Sequence, residues 1–322
     1  MNSMDRYIKK YQTGNDVQDA LDNLELLKPY TAYVVEGDYI DWNTKKRSYK
    51  NDYLTFVALE DTQYSFASAL QYSLQYSTDN GNSWNTLSAT QKTQTIQSGN
   101  KVLWKGNIYG TQNNYGVIFS STGRYNIEGN IMSLRYGDNF KNQVILSESY
   151  IFRDIFKNNI KLISAENLVL PATTLTTYCY SYMFQGCTSL TTAPELPATR
   201  VGYKSYSYMF QGCTSLTTAP ALPATTLEYE SYSYMFQNCT SLTTAPELPA
   251  TTLANNCYQG MFQGCTSLNY IKCLATNVTS TYYTSNWVNN VASSGTFVKN
   301  ENTTGWTTGN SGIPTGWTVI DA

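Results

Sequence analysis

The sequence contains no histidine in 322 residues, and only 14% of its residues are charged. Without histidine the chain has no imidazole general base, no Ser–His or Cys–His nucleophile and no histidine-ligated metal. Lys and Arg number 21 against 23 Asp and Glu. That balance lacks the basic excess with which proteins bind nucleic acids or anionic membranes. We therefore expect no nucleic-acid partner.

Long apolar runs and closely spaced cysteines are also missing. No stretch of about 18 apolar residues is present, so we expect no membrane insertion. The first residues carry no apolar signal core, which predicts synthesis in the cytosol without export. The seven cysteines are an odd number and include no C-x-x-C pair. We interpret them as buried thiols, and we expect no disulfide framework, no metal site and no cofactor.

Tyrosine is abundant instead, with 28 residues, and a repeated block supplies a part of it. Three copies read YMFQGCTSLTTAPELPAT, YMFQGCTSLTTAPALPAT and YMFQNCTSLTTAPELPAT, and a fourth reads GMFQGCTSLNYIKCLAT. Their methionines, Met183, Met209, Met235 and Met261, are 26 residues apart, and a weaker copy without the cysteine precedes them. Periods of about 20–29 residues are typical of leucine-rich repeats, with one short helix and one short strand in each.

Each copy is expected to contain these two elements, a short helix and a short strand. Residues 176–184 predict a short helix that stops at Gly186. Residues 189–196 predict a strand, which Pro194 disturbs because it lacks an amide donor. Residues 268–273 of the fourth copy predict a regular strand. Since no copy can bury its apolar side alone, Phe, Met, Cys and Leu are expected to stack on their equivalents.

The segment Phe184-Gln185-Gly186-Cys187-Thr188-Ser189-Leu190 resembles the F-x-x-C-x-S-L core of BspA-like leucine-rich repeats. The resemblance covers residues 149–280. Such repeats are found in surface proteins of gut anaerobes and in virion proteins of the phages that infect them. The resemblance implies a short repeat solenoid that serves binding or display, and not catalysis.

The whole chain is predicted to be mostly β with short helices, in four parts. These are an N-terminal anchor segment, a β-sandwich-like domain, a leucine-rich-repeat solenoid and a C-terminal cap, over residues 1–48, 49–147, 148–280 and 281–322. The sandwich prediction follows from short strand-like runs separated by turn signals. The cap prediction follows from tryptophans near the end of the chain, which can cover the open end of a repeat stack.

Residues at the start of the chain suggest attachment. The first 48 residues are too few for a core of their own, so we expect them to dock either on the sandwich or on another subunit through Tyr7, Ile8 and Tyr11. The sequence of these residues resembles the N-termini of virion-attached proteins of gut-anaerobe phages. That resemblance implies virion subunits as partners, and fibre proteins of this kind are usually homo-oligomers.

Two sets of residues are candidate sites. Ser77, Asp79, Gly81 and Trp84 resemble an Asp-box, a hairpin turn that is structural wherever it occurs. Tyr182, Tyr208 and Tyr234 occupy one repeat column next to columns that vary, which makes them a candidate exposed binding row. The alternative is that they only cover the edge of the predicted helix.

The leading functional hypothesis is a phage virion structural protein, such as a head or tail fibre or a decoration protein, that binds a host-surface glycan or protein. It would be located in the virion after synthesis in the host cytoplasm. A bacterial cell-surface adhesin without its export signal is a second hypothesis. A glycan-active enzyme is a third, because two carboxylates suffice for that chemistry. The available carboxylates are Glu36, Asp38, Asp41, Glu195 and Glu247. They form no recognisable pair, so we predict no enzyme and no catalytic residue.

Overall fold

The computed structural model describes residues 32–35, 38–41, 46–70, 72–110, 116–280 and 282–322. The chain divides into two compact units between Asp52 and Tyr53. The first unit contains an antiparallel three-stranded sheet, made of β1 (Ala32–Val35), β2 (Asp38–Asp41) and β3 (Lys46–Ser48).

The second unit begins with two sheets. The larger has six strands, which are β4 (Leu54–Ala58), β6 (Ser73–Ser77), β7 (Asn85–Ser88), β8 (Lys101–Lys105), β10 (Tyr125–Asn130) and β11 (Leu162–Val169). Their order in the sheet is β11-β10-β4-β8-β6-β7. The smaller sheet pairs β5 (Tyr64–Ser68) with β9 (Val117–Ser121).

Aromatic rings fill the space between these two sheets. Phe56 on β4 lies 4.9 Å from Phe119 on β9 and 5.2 Å from Tyr64 on β5, measured between ring centroids. Trp104 on β8 and Tyr125 on β10 are fully buried beside them. Full burial of one such ring stabilises the fold by about 1.5–3 kcal/mol, so this cluster holds the two sheets face to face.

Helix is scarce in the described part of the chain. It is limited to one four-residue α-helix, α1 (Ser133–Tyr136), and the 3-10 turn Gly137–Asn139 that follows it. The prediction of a mostly β protein is confirmed. Among the described residues, no helix is long and apolar enough to cross a bilayer.

The 26-residue copies stack on one another. Each copy consists of a turn segment and an extended arm; the four copies span residues 176–201, 202–227, 228–253 and 254–279. The phenylalanines of successive turn segments are parallel and 5.4–5.9 Å apart: Phe184, Phe210, Phe236 and Phe262. The column Tyr180, Tyr206, Tyr232 and Tyr258 behaves in the same way, with 5.8–6.2 Å between centroids.

The turn segments are not helices, so that prediction is wrong. In the first copy Tyr178, Tyr182 and Gly186 have φ values of 58°, 60° and 72°, in the left-handed region. The equivalent residues of the other three copies are left-handed as well. A left-handed residue at every fourth position ends each helical turn after it forms. Gly186 was predicted as a stop, whereas the two tyrosines, and Tyr180 with φ 62°, gave no such signal, because non-glycine residues rarely adopt this conformation.

Backbone hydrogen bonds show what replaces the helix. In the second copy, five alternate amides donate to carbonyls of the third, at 2.8–3.1 Å; they belong to Lys204, Tyr206, Tyr208, Phe210 and Gly212. The amides between them close local turns, as when Met209 donates to Tyr206 O at 3.2 Å. Every amide from 204 to 213 therefore has a partner, and half of them point toward the C-terminal end of the stack.

Side chains continue the same register. Gln185, Gln211, Gln237 and Gln263 form a ladder in which each amide donates to the next, with 2.7 Å for the last step. Cys213 is fully buried, and its thiol donates to Phe184 O in the preceding copy at 3.1 Å. Burial raises the pKa of this thiol well above its ordinary value. The cysteine column is thus a packing element of the stack.

The extended arms form less regular structure than predicted. In the first copy only Thr192 and Arg200 make β-bridges, so the expected strand over 189–196 is wrong. In the fourth copy the expected strand is confirmed as β12 (Tyr270–Cys273). Parallel strands β13 (Thr296–Lys299) and β14 (Thr318–Asp321) continue the sheet beyond it.

Tryptophans terminate the aromatic columns. Trp287 is fully buried, 6.1 Å from Phe262, and it stacks on Trp306 at 5.6 Å. Its indole nitrogen donates to Gly312 O at 2.8 Å. Residues 282–322 therefore add further turns to the stack and cover its last phenylalanine, while the division of the chain into four parts stays a prediction.

We predict that whole copies can be removed without loss of the fold. Deleting residues 202–227 brings the first copy against the third, with the same residue types in nearly every stacked column. The variant should unfold cooperatively in urea, with an m value reduced roughly in proportion to the chain removed.

A deletion of half that length is the matched control. Removing residues 202–214 leaves an arm facing a turn segment, so this variant should lose near-ultraviolet circular dichroism and cooperative unfolding. Equal folding of the two deletion variants would contradict the register described above.

Candidate functional site

The candidate row of Tyr182, Tyr208 and Tyr234 lies along the turn segments, where the structure brings the three residues together. Tyr182 and Tyr208 stack at 4.7 Å and 5°, and Tyr208 and Tyr234 at 4.8 Å and 16°. All three side chains are partly buried, and burial raises the pKa of Tyr208 to about 12. Because the rings cover one another's faces, the row presents ring edges and hydroxyls to a ligand.

Both ends of this tyrosine row are covered. The guanidinium carbon of Arg153 lies 5.2 Å from the centroid of the Tyr182 ring, and the Lys157 ammonium lies 5.0 Å from it. At the other end the Tyr234 ring lies over Gly260, where an added Cβ would be 2.3 Å from a ring carbon. No outer face is left for a sugar to stack on, so a ligand of this row would be held by hydroxyl groups.

The backbone at the row is strained. Tyr182, Tyr208 and Tyr234 have φ values of 57–61°, and Gly260 takes 59° at the same column in the fourth copy. This conformation disfavours a non-glycine residue by about 1–2 kcal/mol. The two stacking contacts of Tyr208, worth about 0.5–1.5 kcal/mol each, offset that strain. Stacking alone thus accounts for the tyrosines, and their role in binding stays a prediction.

A second aromatic row runs beside the first and was not singled out from the sequence. It consists of Tyr150, Tyr178, Tyr203 and Tyr229. Tyr203 is 39% exposed and stacks on Tyr229 at 5.5 Å. The Lys204 ammonium lies 5.3 Å from the Tyr203 ring and pairs with Glu230 at 3.1 Å. The sequence feature that could have revealed this row is the spacing between Tyr178 and Tyr203, which is one residue shorter than the 26-residue period.

The Asp-box residues form a tight turn between β6 and β7. Asp79 accepts hydrogen bonds from the Ser83 hydroxyl at 2.6 Å, the Ser83 amide at 2.9 Å and the Ser77 hydroxyl at 2.7 Å. Gly81 has φ 88° and donates its amide to Ser77 Oγ at 2.8 Å. These bonds, those from Ser83 first, lower the pKa of Asp79 from 3.8 to about 2.

Trp84, the last residue of the turn, lies in a polar cluster. The Lys105 ammonium is 4.1 Å from the Trp84 ring and donates to Asp138 at 2.8 Å. Tyr53 contacts Trp84 at 5.0 Å and donates to Asp138 at 2.6 Å. The turn is therefore tied to the 3-10 turn Gly137–Asn139 that follows α1.

A groove of about 410 Å³ lies along the arms of the first two copies. Its lining includes Ala193, Pro194 and Glu195 of the first copy, Pro220 of the second, and Glu166 from β11. The surface is apolar along the prolines and carries carboxylates. Pro194 suggested only an irregular strand at the sequence level, and the groove itself was not predicted.

The remaining candidates are not brought together. Tyr7, Ile8, Tyr11 and Glu36 lie outside the described residues, and the side chains of Asp38 and Asp41 do so as well. Glu195 and Glu247 are exposed and two copies apart; Glu247 pairs with Lys272 at 2.9 Å. Within the described ranges, no group of three or more Cys, Asp or Glu is placed to hold a metal ion.

Comparisons with family models, curated proteins and solved structures give no significant match. The likeness to BspA-like repeats therefore stays a prediction.

We predict an unusual order of stability at position 208. Tyr208→Ala should lower the free energy of unfolding by about 1–3 kcal/mol, since two ring stacks are lost. Tyr208→Gly should be more stable than Tyr208→Ala by about 1 kcal/mol, because only glycine adopts a positive φ without strain. Urea unfolding measures both.

Tyr282→Ala is the control, because Tyr282 is 69% exposed. Its unfolding free energy should change by less than about 0.5 kcal/mol. A Tyr208→Ala variant more stable than Tyr208→Gly would show that the backbone is not left-handed there.

The Asp79 turn should depend on pH. A pKa lowered from 3.8 to about 2 means that the turn is stabilised above pH 3.8 and loses that stabilisation as the pH falls toward 2. In Asp79→Asn, amide exchange at Gly81 and Ser83 should be faster at neutral pH, with little further change on acidification. Exchange in both proteins that is equally slow and equally independent of pH would contradict this account.

Proposed function

We propose that the protein is a phage virion structural protein, a head or tail fibre or a decoration protein. Its stacked copies would be a BspA-like leucine-rich-repeat solenoid next to a β-sandwich-like domain, displayed for attachment to a host-surface glycan or protein. The observation that carries this proposal is the fixed register of the copies, in which equivalent side chains recur 4.7–4.8 Å apart along one surface. A rigid periodic surface suits repeated weak contacts.

Multiple copies on one particle would raise the apparent affinity. Linked sites act at a high effective concentration, so contacts that are individually weak give strong attachment. We propose that the first unit joins the protein to virion subunits and that the chain is a homo-oligomer. The resemblance of the N-terminal sequence to those of virion-attached proteins supports this part of the proposal.

Catalysis is not part of the proposal. Glu195 and Glu247 are separated by a complete copy, in which Ala221 stands at the equivalent position. Glu247 is engaged by Lys272. Glu195 and Glu247 therefore do not form the facing pair of carboxylates that glycoside hydrolysis uses.

The test is the location of the native protein. Particles from a producing culture should be purified by density gradient and analysed by mass spectrometry, beside the cell-envelope fraction. We expect this chain to band with the major capsid or tail proteins, and an abundant cytosolic enzyme of the host serves as the control for contamination. Recovery in the envelope fraction alone would overturn the proposal in favour of a cell-surface adhesin.

A further inference from the structure

The second aromatic row has a gap at the fourth copy. The backbone register defines the column, because an amide of the preceding turn donates to each of its carbonyls at 2.9–3.2 Å: those of Tyr203, Tyr229, Asn255 and Tyr282. Three of the four residues are tyrosines, and Asn255 is the exception. One ring is therefore missing from the column between Tyr229 and Tyr282.

The missing ring leaves one face of Tyr229 without an aromatic partner. Tyr203 stacks on the other face, with 5.5 Å between ring centroids and 10° between ring planes. Among the described residues no ring stacks on Tyr229 from the side of the fourth copy, where Asn255 is exposed. In the first row the corresponding ring, Tyr234, lies against Gly260. The open face is thus a feature of the second row.

The gap is one ring wide. Tyrosines stacked between successive copies lie 4.7–5.5 Å apart, and the column positions of Tyr229 and Tyr282 are two such steps apart. Since stacked rings have their centroids about 4.5–7 Å apart, one ring-shaped group fits between these positions. Tyr282 is 69% exposed, so most of its side chain is open to a ligand.

Hydrogen-bonding groups lie at the hydroxyl end of the Tyr229 ring. The Asn256 side-chain amide donates to Tyr229 Oη at 3.2 Å. Interaction with the Glu230 carboxylate raises the pKa of the same hydroxyl. Glu230 also pairs with Lys204 at 3.1 Å, so its charge is balanced within the chain. The exposed amide of Asn255 supplies further donors and an acceptor.

This combination fits a neutral sugar. A pyranose ring has a face of C–H groups that packs on an aromatic ring, and a rim of hydroxyls that donate and accept hydrogen bonds. Tyr229 supplies the aromatic face, and the amides beside it supply partners for the hydroxyls. An acidic sugar would bring a second negative charge close to Glu230, whose lysine partner is already engaged.

We propose that the gap between Tyr229 and Tyr282 binds one neutral hexose unit of a glycan, which stacks on the open face of Tyr229 and forms hydrogen bonds with the amides of Asn255 and Asn256. This inference rests on the proposed attachment role and narrows its ligand to a glycan, and it does not depend on a virion location. A single exposed site of this size binds weakly, and several chains on one particle would multiply its effect.

The probes are methyl β-D-glucopyranoside and methyl β-D-galactopyranoside, two neutral hexosides. Each is titrated against the full chain and followed by saturation-transfer nuclear magnetic resonance, and we expect at least one to bind in the roughly millimolar range. Tyr229→Ala should weaken binding about threefold to tenfold, as expected for the loss of one stacking contact. Tyr229→Phe keeps the ring and should change binding by less than about twofold.

Asn255→Tyr closes the gap, because it places a tyrosine at the vacant position of the column. This variant should lose detectable binding without a fall in melting temperature, and a melting scan distinguishes it from a misfolded protein. Thr243→Tyr is the matched control, since it adds the same side chain at an exposed position on an arm, away from the column. Its affinity should equal that of the wild type.

Three results would overturn the inference: no binding of either hexoside by the wild-type protein, unchanged binding by a folded Asn255→Tyr, or tighter binding of methyl β-D-glucuronide than of the glucoside. None of them bears on whether the chain is recovered with purified particles. Conversely, hexoside binding that Asn255→Tyr abolishes, in a protein found only in the cell envelope, would support the sugar site and reject the virion proposal.

Discussion

The hydrogen bonds that run from alternate amides of one turn segment to carbonyls of the next are the constraint on which the repeat stack depends. They require a left-handed residue at every fourth position, as at Lys204, Tyr208 and Gly212, because a continuous right-handed helix would direct those amides back to its own carbonyls. Once they form, the 26-residue register is fixed, and the Phe, Tyr, Gln and Cys columns follow from it. A shift by one residue would place Lys204, Tyr206 and Tyr208 opposite carbonyls that already accept hydrogen bonds in local turns of the next copy.

The period of the sequence was sufficient to predict which residues are buried. Met209, Phe210, Cys213 and Leu216 are all fully buried, as expected for side chains that recur at one column and stack on their equivalents. The period could not predict the backbone of the turn segment. Tyr180 one turn before Phe184 satisfies helical spacing, yet the φ values of Tyr178, Tyr180 and Tyr182 are all positive. Intrinsic preference opposes that conformation, whereas hydrogen bonds and ring stacking with the adjacent copies favour it, so the outcome depends on contacts that a single segment does not contain.

The candidate site was predictable in part, because the repeat period aligns equivalent residues in columns. Variation between columns indicated that Tyr182, Tyr208 and Tyr234 lie near the surface, and the structure places them there in one row. It also shows that the rings stack on each other, which no column comparison can reveal. The groove was missed because Pro194 and Pro220 were considered one strand at a time. These two prolines fall in one column, and that is recognisable only after the arms are aligned in register.

Although the chain has few charged residues, some of them form ion pairs between adjacent turns of the stack. Of the ion pairs in the described part of the chain, several join adjacent turns of the stack: Lys204 with Glu230, Lys272 with Glu247, and Lys299 with Asp321. Each is partly exposed and contributes little to the free energy of unfolding, about 0–1 kcal/mol, so stability alone does not require them. Their common property is that a carboxylate and a lysine on adjacent turns meet, with the lysine on the earlier turn in two of the pairs and on the later turn in the pair of Glu247 and Lys272. Glu195 has the same position as Glu247 and faces Pro220 instead, so among the described residues the first arm carries this carboxylate without the lysine that the third arm meets.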